Sequence, residues 1–477
     1  AHPGAPDPTP GTFVLWFLLA ACGSGLLLAI TNQMTLDVAS VPFLWVMPLA
    51  VYLVTFILAF SGLYSRVAFG ALLAFGLGIE ALLEAGDASV PILLQLMGGA
   101  GVLFAACMVC HGELARSAPE PKHLTAFYLT MAGGGAAGGA AVSLGAPLLL
   151  TDFWELAAFL LLAWFLLGVV MWTDPASRMR AGGRPWAWRG LLLVGVVAGA
   201  GFVLPVVSRD GGTLARERNF YGVLHVLDGT SPEAGRIRGL RHGRILHGSQ
   251  LQGSGRLGVA TTYYGSGSGA HEAIRQHPRR ATGPLRIGIV GEGAGTLAVW
   301  AQAGDTVRFY EIDPAVIDLA RRYFTFIDDS PATVEVVLGD GRLSLERNLE
   351  PGGAGHRYDV LVIDAFSGDA IPTHLLSVEA ADLYWAHLET DGVLAFNVTN
   401  RHLNLAPVIR GLAAHTGHRV VRVERQADAA FDIAFSRWLL VTRDPAPFLA
   451  ADGATPEPPE PSRRWTDRFS NLLHVLR

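Results

Sequence analysis

The chain has 477 residues, of which 51% are hydrophobic and 16% are charged, and its mean hydropathy is +0.36. This composition is too apolar for an ordinary soluble protein, and a formal net charge of -5 argues against a nucleic-acid partner. Because Lys122 is the sole lysine, the second half of the chain holds neither a P-loop lysine nor a Schiff-base lysine.

The apolar residues concentrate in the first 208 positions. Seven segments there approach the length needed to cross a bilayer, at about 12–30, 42–61, 67–85, 89–110, 123–150, 153–172 and 190–208. We expect a disordered Pro-rich N-terminus over residues 1–10, followed by a transmembrane domain of about seven helices over residues 11–208. The protein is then a multi-pass protein of the cell (inner) membrane, with the lipid bilayer as a partner.

Loop charges bear on the orientation of these spans. The basic residues before position 209 all follow the second, fourth and sixth spans, and the positive-inside rule places those loops in the cytoplasm. Seven spans would then put the rest of the chain outside. Residues 209–477 nevertheless have the sequence pattern of a domain that binds a nucleoside donor found in the cytosol. This pattern predicts a cytoplasmic catalytic domain. The sequence leaves this conflict open.

The second half is organised around residues 286–313. An apolar strand is predicted over 286–290, a helix over 296–303 and a second strand over 306–310, with Glu311 at the end of that strand. The glycines between the first strand and the helix are Gly291, Gly293 and Gly295. Glycines there allow a tight turn and close approach of a ligand, and a strand-end carboxylate can accept both hydroxyls of a ribose. This spacing predicts a nucleoside-binding βαβ unit.

Strands and helices continue to alternate after Glu311. Further strands are predicted over 333–338, 358–363 and 393–398 and near 418–424 and 435–442, with helices starting at Asp313 and Ser377 and near 404–415. Alternation of this kind implies a mostly parallel, doubly wound Rossmann-like sheet over residues 286–445. Glu311, Asp340 and Asp364 each follow a strand, so we expect all three acids on one rim of the sheet, where ligands bind.

Two flanking regions complete the second half. Residues 209–285 are expected to form a small β-rich part, with strands over 220–227 and 237–246 and a turn at Asp228-Gly229. Residues 446–477 are expected to contain the end of a Pro-rich linker over 443–462 and then a docked amphipathic tail. His242 and His247 have no carboxylate or cysteine at a recognised ligand spacing, so no metal site is predicted.

Together these residues resemble the spermidine synthase family of aminopropyltransferases. The similarity covers about 215–440 and the final WTDRFSNLL, through the motifs RNFYGVLHV, LHGSQ, TTYYGSGSG, GEGAGTLA, YEID, GDGR and YDVLVIDAFSGDAIP. The whole chain looks like the membrane-fused bacterial branch, in which a multi-span domain precedes a domain with an S-adenosylmethionine-methyltransferase-like fold. The resemblance implies aminopropyl transfer from decarboxylated S-adenosylmethionine to a polyamine, release of methylthioadenosine, and possible homodimers.

The resemblance also assigns roles to residues. The catalytic acid is Asp364, and the acceptor amine is expected beside Asp364 and Asp369, oriented by Tyr263 or Tyr264. The expected donor-binding residues are Gln250, Gly291, Glu292, Gly293, Gly295, Glu311, Ile312, Asp340 and Gly341. The chemistry agrees with a base at Asp364, because an amine is protonated at neutral pH and must lose a proton as it attacks.

Two departures from the family pattern keep alternatives open. The family's glycine loop carries an aspartate that helps to hold the amine, whereas the acid in this loop is Glu292. The second acid of the catalytic loop comes two residues later than usual, at Asp369. A methyltransferase that uses intact S-adenosylmethionine is one alternative. A transporter with a nucleoside- or polyamine-sensing domain is the other.

Overall fold

The structure is a computed structural model, and it describes residues 7–37, 42–85, 92–175, 177, 185–243, 245–349, 355–365, 371–400 and 403–475. The chain divides into two compact units, Ala1–Gly211 and Gly212–Arg477. Each unit has its own hydrophobic core of buried side chains.

The first unit consists of helices that correspond to the seven predicted segments. They are α1 (Pro10–Asp37), α2 (Pro42–Phe60), α3 (Arg66–Ala85), α4 (Ile92–Arg116), α5 (Leu124–Ala140), α6 (Glu155–Thr173) and α7 (Pro185–Arg209). A π-helical turn, Ala141–Gly145, extends α5 into Ala146–Leu149. Within the described residues, five of these helices are long and apolar enough to cross a membrane, and α2 contributes a shorter apolar stretch, Trp45–Phe60.

Small residues bring α1 and α5 together. A Cβ atom added at Gly134 or Gly138 would collide with the backbone carbonyls of Phe17 or Ala21 on α1. The two glycines are four residues apart and so lie on one face of α5. This close backbone approach is the packing that small residues at this spacing allow between membrane helices.

A buried ion-pair network joins three helices of the same unit. The Arg66 guanidinium at the start of α3 donates from Nε and Nη2 to the two carboxylate oxygens of Glu113 on α4, each over 2.7 Å. It also donates to Asp174 directly after α6 over 2.8 Å, and the Tyr64 hydroxyl donates to Glu113 over 2.8 Å. Because both carboxylate oxygens of Glu113 have donors, the network ties the helix ends together without leaving this buried charge unpaired.

The second unit begins with a four-stranded antiparallel sheet. Its strands are β1 (Thr213–Asn219), β2 (Gly222–Ser231), β3 (Gly235–His242) and β4 (Ile245–Leu251). Three sequence predictions are wrong here. Phe220 and Tyr221 form a turn, because the Asn219 side chain accepts the Tyr221 N–H and Gly222 adopts a φ of 140°. Asp228-Gly229 lies inside β2, where Asp228 pairs with Arg238 of β3, and the strand predicted over 237–246 is split between β3 and β4.

The larger sheet has eight strands. They are β5 (Arg286–Val290), β6 (Thr306–Glu311), β7 (Thr333–Leu338), β8 (Tyr358–Ile363), β9 (Leu388–Asn397), β10 (Arg419–Arg425), β11 (Ser436–Thr442) and β12 (Ala454–Pro456), in the spatial order β12-β10-β11-β9-β8-β5-β6-β7. Strands β5 to β9 are parallel, whereas β10, β11 and β12 add in antiparallel fashion. The sheet is therefore mixed, with a doubly wound parallel half whose order reverses between β5 and β8.

Helices connect the strands as α8 (Gly269–Arg275), α9 (Pro314–Tyr323), α10 (Gly341–Asn348), α11 (Val378–Ala386) and α12 (Ala406–Thr416). Asp313, Asp340 and Ser377 are N-caps whose side chains accept backbone N–H groups of the first turn. The helix predicted over 296–303 is shorter, a 3₁₀ helix over Thr296–Trp300. It ends there because Asp305 accepts the Gln302 N–H and closes the next turn.

The C-terminal region departs from the predicted linker. Residues over 443–462 include β12, which pairs with β10 and extends the sheet. In the following tail, Trp465 is buried, and its carbonyl accepts the Val378 N–H at the start of α11. The tail therefore reaches the edge of the sheet where the acidic rim lies.

Candidate functional site

The end of β5 forms the centre of the candidate site. Strand β5 lies between β6 and β8, and the glycine loop follows it directly. The Gly291 N–H donates to the Tyr310 carbonyl over 2.9 Å, and the Asp364 N–H donates to the Val290 carbonyl over 2.9 Å. These bonds hold the ends of β6 and β8 on either side of the loop. The structure thus brings Glu311, Asp340 and Asp364 to one rim, at the switch point where doubly wound sheets bind ligands.

Two loop glycines are required by close contacts. Gly291 has a φ of 99°, and an added Cβ atom would lie 2.6 Å from the Asp364 carbonyl oxygen. Gly293 has a φ of 55°, and its Cβ atom would lie 2.7 Å from the His247 carbonyl oxygen. The loop therefore packs between the backbone at the end of β8 and the backbone of β4. Only residues without a side chain fit at these two positions.

Glu311 is held by the backbone around it. Glu311 is buried. One of its carboxylate oxygens accepts the Glu292 N–H over 3.0 Å, and the other accepts the Asp313 N–H over 2.9 Å. Burial raises the pKa of this carboxyl, and the backbone N–H groups oppose that shift. Each carboxylate oxygen keeps a second lone pair for a ribose hydroxyl. Ile312 beside it is 42% exposed and offers apolar surface to a flat base.

Asp340 borders a groove of about 470 Å³. Asp340 accepts the Leu343 N–H over 2.9 Å and lies 3.2 Å from Nε2 of His374, whose hydrogen bond lowers the pKa of the carboxyl. A Cβ atom at Gly341 would lie 2.6 Å from Val290, so glycine lets α10 start close to β5. The tail lines this groove through Asp467. Sequence reasoning missed His374, which lies 34 residues from its partner.

Asp364 stands at the end of β8 with two side-chain partners. Its Oδ1 accepts the Nδ2–H of Asn397 over 2.8 Å, and the Tyr264 hydroxyl lies near enough to the same carboxyl group to lower its pKa. Burial raises the pKa of Asp364 to about 7, although both hydrogen bonds act to lower it. A carboxyl group with this pKa can accept a proton near neutral pH. Sequence analysis did not identify Asn397 as a site residue. The signal that could have revealed it is a polar residue at the end of a buried strand.

The two tyrosines of the TTYY segment have different partners. The Tyr263 hydroxyl donates to the Leu246 carbonyl over 2.8 Å, whereas Tyr264 is buried beside Asp364. Burial and the Asp364 charge both raise the pKa of Tyr264. Indole N–H groups of Trp438 and Trp300 donate to the carbonyls of Tyr263 and Tyr264 over 3.2 and 2.8 Å. The structure therefore places Tyr264, rather than Tyr263, beside the predicted catalytic acid.

The remaining predicted residues differ in what surrounds them. Gln250 is buried, and its amide donates to the Leu257 carbonyl over 3.1 Å and to the Thr325 hydroxyl over 2.9 Å, which ties β4 to the segment after α9. Glu292 is 5% exposed. Asp369 lies outside the described residues. Among the residues that the structure covers, no three His, Cys, Asp or Glu side chains are grouped closely enough to hold a metal ion.

Comparisons with known proteins bear on this arrangement. The chain is 35% identical over 117 residues to a polyamine aminopropyltransferase of Vibrio vulnificus, a match that covers 24% of this chain and 38% of the relative. It is 33% identical over 122 residues to an N-terminal histidine N-methyltransferase of Emericella nidulans, a match that covers 25% of this chain and 21% of the relative. The crystal structure of a probable spermidine synthase from Corynebacterium glutamicum aligns with this chain at 16% sequence identity and a TM-score of 0.39. The alignment covers 55% of this chain and 98% of the Corynebacterium chain.

No family model matches the chain. The matched segment spans less than two fifths of the length of either curated relative. Within that range, the similarity to polyamine aminopropyltransferases confirms the spermidine synthase-like character predicted from the motifs.

Proposed function

We propose that the chain is a membrane-anchored aminopropyltransferase of the spermidine synthase type. Its donor is decarboxylated S-adenosylmethionine, its acceptor is a di- or polyamine, and its nucleoside product is methylthioadenosine. The observation that carries the proposal is the position of Asp364, an acid with a pKa of about 7 at the sheet rim beside the glycine loop. The similarity to polyamine aminopropyltransferases supports the same reaction.

In this reaction an amine nitrogen of the acceptor attacks the propyl carbon bonded to the sulfonium. A C–N bond forms, the C–S bond breaks, and its electron pair goes to sulfur, which leaves a neutral thioether. The attacking nitrogen loses a proton to the carboxylate of Asp364. Glu311 would hold the ribose hydroxyls, Ile312 and Asp340 would border the adenine, and Tyr264 would orient Asp364. The donor is thereby fixed at one side of the loop and the base at the other, so that the reacting atoms are aligned.

The five long apolar helices support a membrane anchor for this reaction. We place the catalytic unit in the cytoplasm, where the nucleoside donor would be available. The bilayer is then a partner of the first unit, and the acceptor reaches the second unit from solution. Reagent labelling of single cysteines introduced at Ser231 and at Asp7, in intact cells and in inverted vesicles, tests this sidedness.

A methyltransferase is the second candidate. The glycine loop lacks the family's aspartate for the charged amine, and the chain is also similar to a histidine N-methyltransferase. A methyltransferase would use intact S-adenosylmethionine and release S-adenosylhomocysteine. The sulfonium chemistry is shared, and the difference lies in which carbon is transferred.

Product analysis separates these functions. The detergent-purified protein is incubated with decarboxylated or intact S-adenosylmethionine and a panel of di- and polyamines, and the released nucleoside is identified by mass spectrometry. We expect methylthioadenosine, formed only when an amine is present. S-adenosylhomocysteine would instead establish a methyltransferase. Donor binding without either product would contradict both enzymes and favour a transporter with a sensing domain.

Asn397 gives a prediction about the pH dependence of transfer. Its Oδ1 accepts the Thr399 N–H over 3.0 Å, so the amide orientation is fixed and Nδ2 faces Asp364. Asn397→Asp replaces this donor with a second carboxyl group, and the pair would then share one proton. We expect the acid limb of the kcat/KM profile to move upward by about one pH unit or more. An unchanged profile would contradict this role, and Asn348→Asp on α10 serves as the control.

A further inference from the structure

Two buried acidic residues adjoin at the base of the proposed donor site. Glu292 is the second residue of the glycine loop, and Glu311 ends β6. The Glu292 N–H donates to a Glu311 oxygen over 3.0 Å. The two residues are only 5% and 9% exposed. A Glu311 oxygen thus lies against the Glu292 backbone, and both side chains are buried where little water can screen their charges.

The two groups differ in their partners. Both oxygens of Glu311 accept backbone N–H groups. Both oxygens of Glu292 are buried, and neither accepts a hydrogen bond from any residue that the structure describes. The charged groups that act on Glu292 are Glu311 and the exposed Arg321 on α9. Burial, followed by repulsion from Glu311, raises the pKa of Glu292 to about 8, against the weaker effect of Arg321.

A buried carboxyl group without a partner needs either a proton or a cation. We propose that Glu292 makes the donor site selective for a cationic nucleoside, being neutral while the site is empty and releasing its proton when a sulfonium-bearing nucleoside binds. This inference rests on the proposed function, because it takes Glu311 as the ribose ligand. The sulfonium is joined to C5′ of that ribose, so its charge lies one sugar ring away from the two carboxyl groups.

The charge of the ligand then decides the charge of Glu292. A positive sulfur offsets the repulsion from Glu311 and favours the carboxylate form of Glu292. After transfer the sulfur is a neutral thioether, and the Glu292 carboxylate again has no cation near it. Glu292 takes up a proton, and the neutral product is held less tightly than the cationic donor. The same acid therefore favours binding of the donor and release of the nucleoside product.

Proton release on binding tests the proposal. The full-length protein is titrated calorimetrically at pH 7 in buffers of different ionisation enthalpy, with decarboxylated S-adenosylmethionine and with methylthioadenosine as probes. We expect the cationic probe to release about half a proton or more per site and the neutral probe to release little. In Glu292→Gln this release should fall by the same amount, and the preference for the cationic probe should drop about tenfold. Asp364→Asn is the control, because Asp364 also has a pKa near 7.

The outcomes are separable. Equal proton release in the wild type and Glu292→Gln would overturn the inference, and so would a release that disappears only in Asp364→Asn. Proton release without any transfer product would remove the proposed enzyme and leave the inference standing. Binding of neither probe would overturn both.

A ligand-free measurement provides a second test. The folded-state pKa of Glu292 is raised, so its contribution opposes folding increasingly as pH rises from the usual glutamate range to about 8. Glu292→Gln removes this effect. As the pH is raised from 5 to 9, the melting temperature of the variant should therefore rise relative to that of the wild type. Parallel curves across this range would show that no uncompensated carboxylate is buried there, which would overturn the inference.

Discussion

Asp364→Asn should lower the rate of aminopropyl transfer by about a thousandfold or more while donor binding stays nearly unchanged. The amide has the size of the carboxyl group and can still accept the Asn397 N–H, so the shape of the site is kept. It cannot take up the proton that the attacking amine must lose. The measurement is single-turnover formation of methylthioadenosine, together with calorimetric binding of the donor.

The pH dependence gives this prediction a second observable. The base must be ionised, and the pKa of Asp364 is raised to about 7 by burial, so wild-type activity should rise with pH through about 7. The raised pKa also means that Asp364 opposes folding increasingly as pH rises from the usual aspartate range to about 7. The melting temperature of Asp364→Asn should therefore rise relative to that of the wild type between about pH 4 and pH 7 and keep this advantage above pH 7, even as the variant loses activity.

A suitable control is Asp382→Asn on α11, where the carboxylate is exposed and pairs with His415. This variant should keep both activity and its pH profile. Full activity in Asp364→Asn would contradict the assignment of the base. Loss of donor binding together with activity would instead show that Asp364 shapes the donor site, and the base would have to be sought elsewhere on the rim.

The parallel half of the sheet was predictable because its signals are local. Each strand from β5 to β8 is a short, mostly apolar run, and the acids Glu311, Asp340 and Asp364 stand at or just after the ends of three of them. A parallel sheet places all its strand ends on one edge, so these positions in sequence become neighbours in space. For this reason the rim of acids could be stated before the structure was known.

The features that were missed depend on contacts between distant residues. Asn397 meets Asp364 only because β9 pairs with β8, and nothing near Asn397 in sequence marks it as a partner. Strand β12 is short and lies in a Pro-rich stretch, and it forms because β10 has a free edge to pair with. In the small sheet, the turn at Phe220 is set by the Asn219 side chain and by Gly222, which a purely apolar pattern does not reveal.

Gly291→Ala should destabilise the second unit and remove transfer activity. The residue has a φ of 99°, a conformation that side chains other than glycine rarely adopt. In addition, the new Cβ atom would lie 2.6 Å from the Asp364 carbonyl oxygen, which belongs to the backbone and cannot move without shifting the end of β8. We expect the melting temperature of the unit to fall by about 5–10 °C, which corresponds to about 3 kcal/mol at this size.

The control is Gly283→Ala in the loop before β5, where an added Cβ atom has no heavy atom within 4 Å. That variant should match the wild type in melting temperature and in transfer. If Gly291→Ala also matched the wild type, the close approach between the glycine loop and β8 would not be rigid, and Asp364 could not be held against the donor by this contact. If stability were kept and only transfer were lost, the alanine would act by displacing the base. That result would tie the loop to catalysis directly, because its backbone sets the distance between the donor sulfur and the carboxyl group that takes the proton.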